Sequence, residues 1–522
     1  MKAFAALLER LALTPVRNGK LRLLVEYFRD TPDPDRGLAL AAITRDLDLK
    51  TVKPALLREM VTARVDAELF ALSYDYVGDL AETIALIWEP RADPADHRLG
   101  EVIAALQTTP KARAGPLMTD LLDSLGASER YALIKLATGG LRVGVSARLA
   151  KQALADFGGF DVAEIEELWH GLTPPYEEVF AWAEGRADKP VQAALAPFRP
   201  VMLATALDEA ALGDMVPGEF AAEWKWDGIR VQATADGGER RLYSRTGDDI
   251  STAFPDVIAH MGFQGAVDGE LLVRDGDGVA PFATLQQRLN RKTVSRAMME
   301  KYPAFIRVYD LLDMAGENLR PQSFQTRRAR LEALAGDLGP RFDISPLVPF
   351  EDWDTLARHR AAPPDPVIEG LMLKRWDSVY VPGRPKGPWL KWKRDPHLID
   401  TVLMYAQRGH GKRSSFYSDY TFGVWQGDAL VPVGKAYFGF TDEELRQIDK
   451  YVRDNTVERF GPVRAVRADR DAGLVLEVAF EGLNRSKRHK SGVAMRFPRI
   501  HRLRWDKPPA EADRLEALLP DP

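Results

Sequence analysis

The 522-residue sequence contains no cysteine. Disulfides, thiolate nucleophiles and cysteine-based zinc sites are therefore excluded together. The absence is also typical of proteins that work in a reducing compartment, where disulfide bonds rarely persist.

The sequence also lacks long apolar runs. No apolar stretch approaches the roughly 20 residues that a membrane-spanning helix needs, and Glu9 and Arg10 interrupt the apolar run at the amino terminus. An export signal requires an uninterrupted apolar segment behind a basic start, and none is found. We therefore predict a soluble cytoplasmic protein without a membrane partner.

Common nucleotide-binding and metal-binding motifs are missing as well. No GxxxxGK[ST], no GxGxxG between a strand and a helix, and no HExxH occurs in the chain. The segment Gly409–Arg413 reads GHGKR, which is too short for a phosphate-binding loop and lacks its hydroxyl residue. P-loop enzymes, dinucleotide-binding folds and zinc proteases of this kind are therefore disfavoured.

Negative charge exceeds positive charge, with a net charge of −5. This total argues against a nucleic-acid-binding protein, but the distribution of charge matters more than its sum. The stretch from Asn484 to Trp505 has eight Lys/Arg and no acid, and Arg384–Arg394 also has no acid. A solvated surface is the ordinary interpretation of one such run. Two runs beside catalytic-looking motifs favour a polyanionic partner.

The length favours three compact units. Residues 1–187 are predicted to be helical, and Leu21, Leu24, Val25 and Phe28 show the spacing of an amphipathic helix. Alternating short runs predict an antiparallel-sheet domain over 188–395. Residues 396–522, with few strands and one helix, favour an OB-fold β-barrel, with a small β-sandwich as the alternative. The fold class is thus multidomain α+β, and the tail after Trp505 is expected to fray.

A first cluster of charge lies in the sequence EWKWDG, from Glu223 to Gly228. In a strand, Glu223, Lys225 and Asp227 share one face, with the two tryptophans on the other face against a core. Burying three charges is costly unless they pair or bind something. Taken alone, the segment also fits the exposed face of an edge strand.

Two further strands carry carboxylates. Asp268-Gly-Glu270 places two on one strand face, and Glu369 starts a strand that ends at Lys374. Carboxylates that arrive from different strands are typical of a magnesium site, because this ion takes a few carboxylates and keeps its waters.

Two lysines follow on a later strand, WLKWK. Lys391 and Lys393 share a face there. Lysines presented together favour phosphate oxygens over apolar packing. With the carboxylates, they indicate a nucleotide site of an uncommon kind, although each segment alone also fits an ordinary charged strand face.

These segments resemble those of the ATP-dependent DNA ligases, of the covalent nucleotidyltransferase superfamily. The similar segments occur in family order across residues 200–507: EWKWDGIR for the KxDGxR lysine motif, YSRTGDD, AVDGELLV, RVYDLL, EGLMLK, WLKWKR and RFPRIHRLRWDK. A single KxDG is a weak signal, whereas the ordered series is specific. The likeness implies an ATP-dependent DNA ligase with an adenylation domain and a carboxyl-terminal OB-fold.

The resemblance implies three chemical steps. Lys225 attacks the α-phosphorus of ATP and forms a lysyl-AMP, AMP moves to the 5′-phosphate of a nick, and the 3′-hydroxyl displaces AMP. A free lysine has a pKa of about 10.4, so Lys225 must be desolvated or lie near other cations before it attacks. Asp227 should therefore not pair tightly with it. ATP and Mg²⁺ are the expected cofactors.

The resemblance also implies roles for individual residues. The predicted contacts are Glu223 to the adenine edge, Tyr309 stacked on the base, Arg230 and Arg245 to ribose or nick phosphate, Glu270 and Glu369 to magnesium, Lys391 and Lys393 to phosphates, and Arg496 and Arg499 to pyrophosphate when the barrel closes. The family usually has phenylalanine at the stacking position, and tyrosine stacks equally well. The expected family arginine aligns with Pro385, which leaves Arg384 or Lys386 for that role.

The amino-terminal region resembles the helical DNA-binding domain of these ligases. In YALIKLATGGLRVGVSARLAKQ, Gly139, Gly140 and Gly144 would allow close approach to phosphates, and Ser146 would open a helix whose amides face an anion. A plain helix packing joint is the alternative. The predicted DNA contacts are Lys135, Arg142 and Arg148 in this region, and Lys412 and Arg413 in the third region.

The predicted substrate is nicked double-stranded DNA, bound by a monomer near the nucleoid in repair, replication or recombination. Competing interpretations are an RNA ligase, an RNA-capping nucleotidyltransferase and a non-catalytic DNA-end-binding protein. An NAD-dependent ligase is disfavoured because that family normally carries a four-cysteine zinc module.

Overall fold

The computed structural model describes residues 1–47, 49, 52–141, 143–191, 194–289, 291, 293–408, 416–486 and 489–518, without the side chains of residues 75 and 76. Two compact units are present: Met1–Glu351 with Met372–Lys391, and Asp352–Leu371 with Trp392–Pro522. Within the described ranges, we find no helix with the length and apolar character that crossing a bilayer requires.

The first unit begins with a helical region, as predicted. Its helices are α1 (Lys2–Leu13), α2 (Arg17–Asp30), α3 (Asp35–Thr44), α4 (Pro54–Thr62), α5 (Ala67–Val77), α6 (Leu80–Ile87), α7 (Leu99–Thr108), α8 (Ala114–Ser124), α9 (Ala127–Ala137), α10 (Ala147–Gly158), α11 (Val162–Leu168) and α12 (Glu177–Ala183). In α2, Leu21, Leu24 and Phe28 are buried and Val25 packs against the same core. The amphipathic pattern is therefore confirmed.

A region of strands and short helices follows. Its elements are β1 (Thr205–Ala206), β2 (Phe220–Trp226), β3 (Ile229–Asp236), β4 (Glu239–Ser244), α13 (Pro255–Ala259), β5 (Gly265–Asp275), β6 (Gly278–Val279), α14 (Phe282–Leu285), α15 (Arg296–Lys301), β7 (Ala304–Met314), β8 (Glu317–Asn318), α16 (Phe324–Ala333), β9 (Phe342–Ile344), α17 (Trp353–Ala361), β10 (Ile368–Arg375) and β11 (Trp389–Lys393). The predicted antiparallel-sheet region is thereby confirmed.

These strands form two sheets. One has the order β4-β3-β5-β7-β8, with β6 on β5 and β9 parallel to β7. The other has the order β1-β11-β10-β2, and the boundary between the two units passes through β10 and β11. The predicted three-domain division stays a prediction.

Strand β3 was not expected from the sequence. Val231, Gln232, Ala233, Thr234 and Ala235 are all buried, so both of its faces are covered. Its sequence, IRVQATAD, does alternate apolar and polar residues, as the sequence rule for strands requires. Only the structure shows that the polar positions Gln232 and Thr234 are buried as well.

The second unit contains a carboxyl-terminal sheet. Its elements are β12 (His397–Arg408), β13 (Tyr417–Gln426), β14 (Ala429–Ala436), α18 (Asp442–Asp454), β15 (Thr456–Phe460), β16 (Val463–Val466), β17 (Val475–Phe480), β18 (Gly482–Arg485), β19 (Val493–Arg496) and β20 (Arg499–Arg504). The order is β14-β13-β12-β16-β15, and β17 pairs with β12 and β20. A sheet domain is confirmed, and the choice between barrel and sandwich stays a prediction.

The expected fraying after Trp505 is wrong for residues 506–518. The indole N–H of Trp425 donates to the carbonyl of Pro509 at 2.7 Å, and Leu515 and Leu518 are buried in the core of the sheet domain. The prediction weighed the proline and acid content of the tail, but the two leucines supply enough apolar surface to hold it against the sheet.

Candidate nucleotide site

The site is centred on Lys225, near the end of β2. Phe220, Ala221 and Ala222 bury the start of that strand, and Lys225 itself is half-buried. After β2 the chain turns at Gly228, where an added Cβ would lie 2.6 Å from the carbonyl oxygen of Leu271 and 2.8 Å from Cγ of Glu270. Glycine is thus required because the turn lies directly against β5, and this packing brings the lysine segment to the strand that carries Glu270.

Glu223 lies deeper than the sequence pattern implied. It is 1% exposed, whereas both tryptophans beside Lys225 are half-buried. The sequence predicted that the tryptophans pack against a core and that the charged face carries the binding groups. This prediction is wrong for this end of the strand, because the carboxylate is the more deeply buried group. Oε1 of Glu223 accepts from Arg328 on α16 at 3.1 Å, and Oε2 lies 2.5 Å from Nζ of Lys374. Two cations offset the burial of this carboxylate.

Lys374 is the cation that completes this arrangement. Its Nζ lies 4.6 Å from the ring centres of Tyr309 and Trp389 and 4.7 Å from that of Phe324, and it donates to the carbonyl of Tyr309 at 3.1 Å. Burial lowers its pKa, while the nearby Glu223 carboxylate raises it. Lys374 thus supports one face of the ring that was predicted to stack on a base.

Arg230 belongs to a buried polar network under the same ring. It donates to the Met202 carbonyl at 2.5 Å, to Asp268 at 2.5 Å and to the Tyr380 hydroxyl at 3.0 Å. The Tyr309 ring lies 5.8 Å from the guanidinium carbon. Arg230 therefore contacts protein groups in this structure, and its predicted contact with ribose or nick phosphate stays a prediction.

Arg245 is exposed on the turn after β4. Its pKa is lowered by burial first, and then by the positive charges of Arg230 and Arg384, while Tyr309 and Glu270 act in the opposite direction. These interactions place Arg245 and Arg384 in one electrostatic neighbourhood. They favour Arg384 over Lys386 for the arginine role that the sequence left open.

Glu270 sits on the central strand of its sheet. Its register partners are Arg230 on β3 and Arg307 on β7, so these three residues share a face.

Lys391 lies on β11, where its carbonyl accepts from the backbone N–H of Leu207 at 3.0 Å and Ala206 is its register partner. The short parallel strand β1 therefore fixes the backbone at Lys391.

The second unit holds the other predicted phosphate contacts. Nζ of Lys393 donates to Glu481 at 2.9 Å, and Arg499 lies 3.7 Å from the other oxygen of that carboxylate. Arg496 lies 3.6 Å from Glu369, and burial lowers the pKa of Arg496. Three cations thus face two carboxylates within this unit, a set suited to exchanging protein carboxylates for phosphate oxygens.

The predicted magnesium ligands Glu270 and Glu369 lie in the first and the second unit respectively, and their joint binding of an ion stays a prediction. Throughout the described part of the chain, no three His, Asp or Glu side chains are grouped as an all-protein metal site would require. Magnesium usually takes one or two carboxylates, and substrate phosphates and waters supply the remaining ligands. Glu270 and Glu369 each have the chemistry for such a ligand.

The predicted DNA contacts divide into two groups. Lys135 pairs with Asp79 at 2.5 Å and Arg148 pairs with Glu166 at 3.2 Å. Arg142, Lys412 and Arg413 lie outside the described residues. All five stay predictions.

Gly144 in the helical region makes room for a neighbouring side chain, whereas the sequence analysis considered it for close approach to phosphates. Gly144 has φ of +66°, and an added Cβ would lie 2.3 Å from Nζ of Lys20. Lys20 donates to the carbonyls of Val143 and Gly144 at 2.7 and 3.0 Å. In this structure the absent side chain therefore makes room for a buried lysine, whereas no atom lies within 4 Å of a Cβ added at Gly139.

Sequence reasoning did not assign Lys374, Arg328, Tyr380 or Glu481 to the site. A usable signal existed for Lys374, because a lysine that ends an apolar strand run such as LMLK needs a buried partner. Arg328, Tyr380 and Glu481 meet their partners only through tertiary contacts. No local pattern distinguishes them from surface residues.

Comparison with known proteins gives a consistent result along the chain. The family profiles described as DNA ligase N terminus, ATP dependent DNA ligase domain and ATP dependent DNA ligase C terminal region match residues 1–155, 201–393 and 413–507. The probable DNA ligase of Koribacter versatilis (strain Ellin345) is 32% identical over 558 residues, covering 99% of this chain and 95% of the relative. DNA ligase 1 of Korarchaeum cryptofilum (strain OPF8) is 29% identical, covering 99% and 97%.

A solved structure supports the fold. Pmar-Lig_PreS3 aligns with 96% of this chain and 99% of its own, with a TM-score of 0.59 and 15% sequence identity. At that identity the likeness concerns architecture, while the profiles and the relatives above establish the family. The chain belongs to the ATP-dependent DNA ligases.

Proposed function

We propose that the chain seals nicks in duplex DNA, with Lys225 as the residue that carries AMP. The observation that carries this assignment is the packing of the turn at Gly228 against β5, which joins the lysine segment to the strand of Glu270. Tyr309, Arg230 and Arg245 belong to the same neighbourhood. A nucleophile, a carboxylate, an aromatic ring and arginines together suit the transfer of a nucleotide.

In the first step, the Nζ lone pair of Lys225 attacks the α-phosphorus of ATP. A nitrogen–phosphorus bond forms, the bond to the β-phosphate oxygen breaks, pyrophosphate leaves, and Nζ gives up its protons to solvent. Glu223 would accept from the adenine edge and Tyr309 would stack on the base. Lys391 and Lys393 would neutralise phosphate oxygens, and the cationic field would favour the neutral amine that attacks.

The pyrophosphate end of ATP would meet Arg496 and Arg499. The proposal is supported by their neighbours in the structure, since Arg496 lies 3.6 Å from Glu369 and Arg499 lies 3.7 Å from Glu481, and a guanidinium group pairs with phosphate as it does with carboxylate. Glu270 and Glu369 would hold Mg²⁺, which supplies charge neutralisation at the phosphates when it is bound.

In the second step, a 5′-phosphate oxygen of the nick attacks the phosphorus of lysyl-AMP, and the Lys225 nitrogen leaves and takes up a proton. In the third step, the 3′-hydroxyl attacks the 5′-phosphorus and loses its proton to solvent, a phosphodiester forms, and the phosphorus–oxygen bond to AMP breaks so that AMP departs. Arg245 and Arg384 are the residues proposed to neutralise the nick phosphate. Arg230 would hold its neighbours in place through its contacts with Asp268 and Tyr380.

The helical region would grip the duplex through its phosphates. A surface cavity of about 370 Å³ is lined by Arg17, Lys20, Ser146, Arg148 and Gln152. Ser146 caps α10, accepting from the Leu149 amide at 3.2 Å. Cationic side chains beside a helix amino terminus favour a phosphate group at this position.

We expect Arg17→Ala and Arg148→Ala, combined, to weaken binding to nicked and intact duplex alike. Each lost phosphate contact should lower the slope of log affinity against log salt by about one. Fluorescence anisotropy over a salt series measures this slope, and the exposed Arg10 on α1 is a control position for Arg→Ala. An unchanged slope in the double variant would contradict the proposed phosphate contact.

Two assays test the proposed reaction. Labelled ATP should attach to the protein without DNA, and labelled GTP should not. A gel assay with ATP and Mg²⁺ should then convert a nicked duplex into continuous strand. Attachment of GTP would favour a capping nucleotidyltransferase, sealing of nicked RNA but not DNA would favour an RNA ligase, and binding without any AMP attachment would favour a DNA-end-binding protein. We also propose that the chain acts as a monomer, which light scattering in the presence of nicked DNA can check.

A further inference from the structure

The turn that carries Arg245 is held by the helical region of the first unit. Residues 244–249 form a compact turn: the backbone N–H of Ser244 donates to the carbonyl of Asp248 at 2.8 Å, and that of Gly247 to the carbonyl of Ser244 at 2.9 Å. The side chains of Ser244, Thr246 and Asp248 are also bonded to one another. These internal bonds hold the turn together, and we therefore expect its position to depend on what its outer surface contacts.

That outer surface meets His170, in the 3₁₀ turn Trp169–Gly171. The imidazole ring lies 4.7 Å from the ring centre of Tyr243 and 5.9 Å from that of Phe198, and the latter two rings are 5.6 Å apart. The Tyr243 hydroxyl is fixed by donating to the Ala196 carbonyl at 2.9 Å. The three rings form a packed cluster, which we call the aromatic joint.

Gly247 lies directly against this joint. It is buried with φ of +86°, and an added Cβ would lie 3.1 Å from the Phe198 ring and 3.4 Å from Nε2 of His170. The turn therefore lies so close to the joint that a side chain at Gly247 would have no room between them. A shift of His170 would move the turn and Arg245 with it, since close-packed groups transmit displacement.

Burial in the joint favours the neutral form of His170. Its pKa is lowered to about 4, by burial first and then by the positive charge of Lys151, although Asp46, Asp248 and Asp249 oppose this. Nζ of Lys151 lies 4.4 Å from the Trp169 ring. At neutral pH the imidazole thus packs as an uncharged ring, suited to contact with Tyr243 and Phe198.

From this geometry we propose that His170 is a positioning residue: through Gly247, it sets the place of Arg245 and so couples the helical region to the nucleotide site. The inference rests on the proposed function, because Arg245 acts there on the nick phosphate. Binding of duplex to the helical region would then bear directly on AMP transfer. A displacement of about 1 Å at such a group costs up to about 10²-fold in rate.

A double-mutant cycle on AMP transfer tests this coupling. Wild-type and variant proteins are first loaded with labelled AMP, so that only correctly folded molecules are followed, and single-turnover transfer to a nicked duplex is then measured. His170→Ala is expected to slow transfer on the order of 10-fold, and His170→Phe to restore it. Added to Arg245→Ala, His170→Ala should cause no further slowing. The same cycle can be repeated with Gly247→Ala in place of His170→Ala, because Gly247 lies on the turn's side of the contact with His170.

The matched control is Phe160→Ala. Phe160 stacks on Trp182 at 3.7 Å within the same helical region, and so reports the loss of an aromatic contact away from the turn. It should leave the transfer rate unchanged. Independent slowing by His170→Ala in the Arg245→Ala background, or a wild-type rate for His170→Ala alone, would overturn the proposal. If the wild-type protein carried no AMP, the proposed function itself would fail, and that result is visible without any variant.

Discussion

Replacing Lys225 with alanine is expected to abolish attachment of AMP to the protein while leaving DNA binding largely intact. No other group named at the site combines a nucleophilic nitrogen with a place at the end of β2, beside the turn that packs against β5. The amine forms the covalent bond itself, so its loss removes the reaction rather than slowing it. Labelling with radioactive ATP, followed by denaturing gel analysis, measures the adduct, and anisotropy with labelled duplex measures binding.

Lys225→Arg makes the test sharper. Arginine keeps the positive charge and much of the length, but its guanidinium stays protonated and does not attack phosphorus. This variant should also lack the adduct. The exposed Lys301 on α15 is the control, and its alanine variant should label as the wild type does. Robust labelling of Lys225→Ala would remove the central assignment.

Arg327→Met is expected to cause the largest loss of stability among the side chains that support the site. Arg327 on α16 forms a bidentate pair with Asp310 on β7 at 2.8 and 3.0 Å, and both side chains are 0% exposed. It also donates to the carbonyls of Gln322 and Ser378. Removing one partner leaves a buried, uncompensated carboxylate next to Tyr309, at a cost of about 3–5 kcal/mol.

Urea unfolding followed by tryptophan fluorescence measures this loss as a lower midpoint. Arg330→Met is the matched control on the same helix, because Arg330 pairs with Glu317 at the surface, where ion pairs contribute little. Replacing both members of the buried pair, as Arg327→Met with Asp310→Leu, should recover much of the loss, since no charge is then left unpaired. Equal midpoints for Arg327→Met and Arg330→Met would contradict the argument.

Local patterns predicted the elements well where one face of the element is polar. The spacing in α2 and the strand pattern in β2, β5 and β11 each gave the correct type within a few residues. Strand β3 was not predicted although its sequence alternates, and only the structure shows that its polar face is buried too. The tail was misjudged because its Leu515 and Leu518 are too few to form a periodic pattern. Patterns of hydrophobicity predict which face of an element is exposed, and they fail where that exposure is decided by a few tertiary contacts.

The candidate site residues also divide into those that the sequence proposed and those that only the structure revealed. The sequence proposed Lys225, Glu270 and Tyr309 because their segments resemble family motifs. It did not show that Glu223 is bracketed by Arg328 and Lys374, or that Arg384 acts electrostatically on Arg245. Glu223 and Arg328 are 105 residues apart in the chain. A contact over such a separation depends on the whole topology and leaves no local signature.

The order of motifs along the chain was determined by the sequence alone, and with it the family and the choice of Lys225 as the candidate nucleophile, because each motif is a short segment that can be recognised without its distant neighbours. Tertiary structure decided which cations accompany the buried carboxylate of Glu223, how Gly228 meets β5, and that His170 contacts the turn of Arg245. The reason is physical: a charge is buried only where the fold supplies its partner, and that partner comes from a strand or helix far away in sequence.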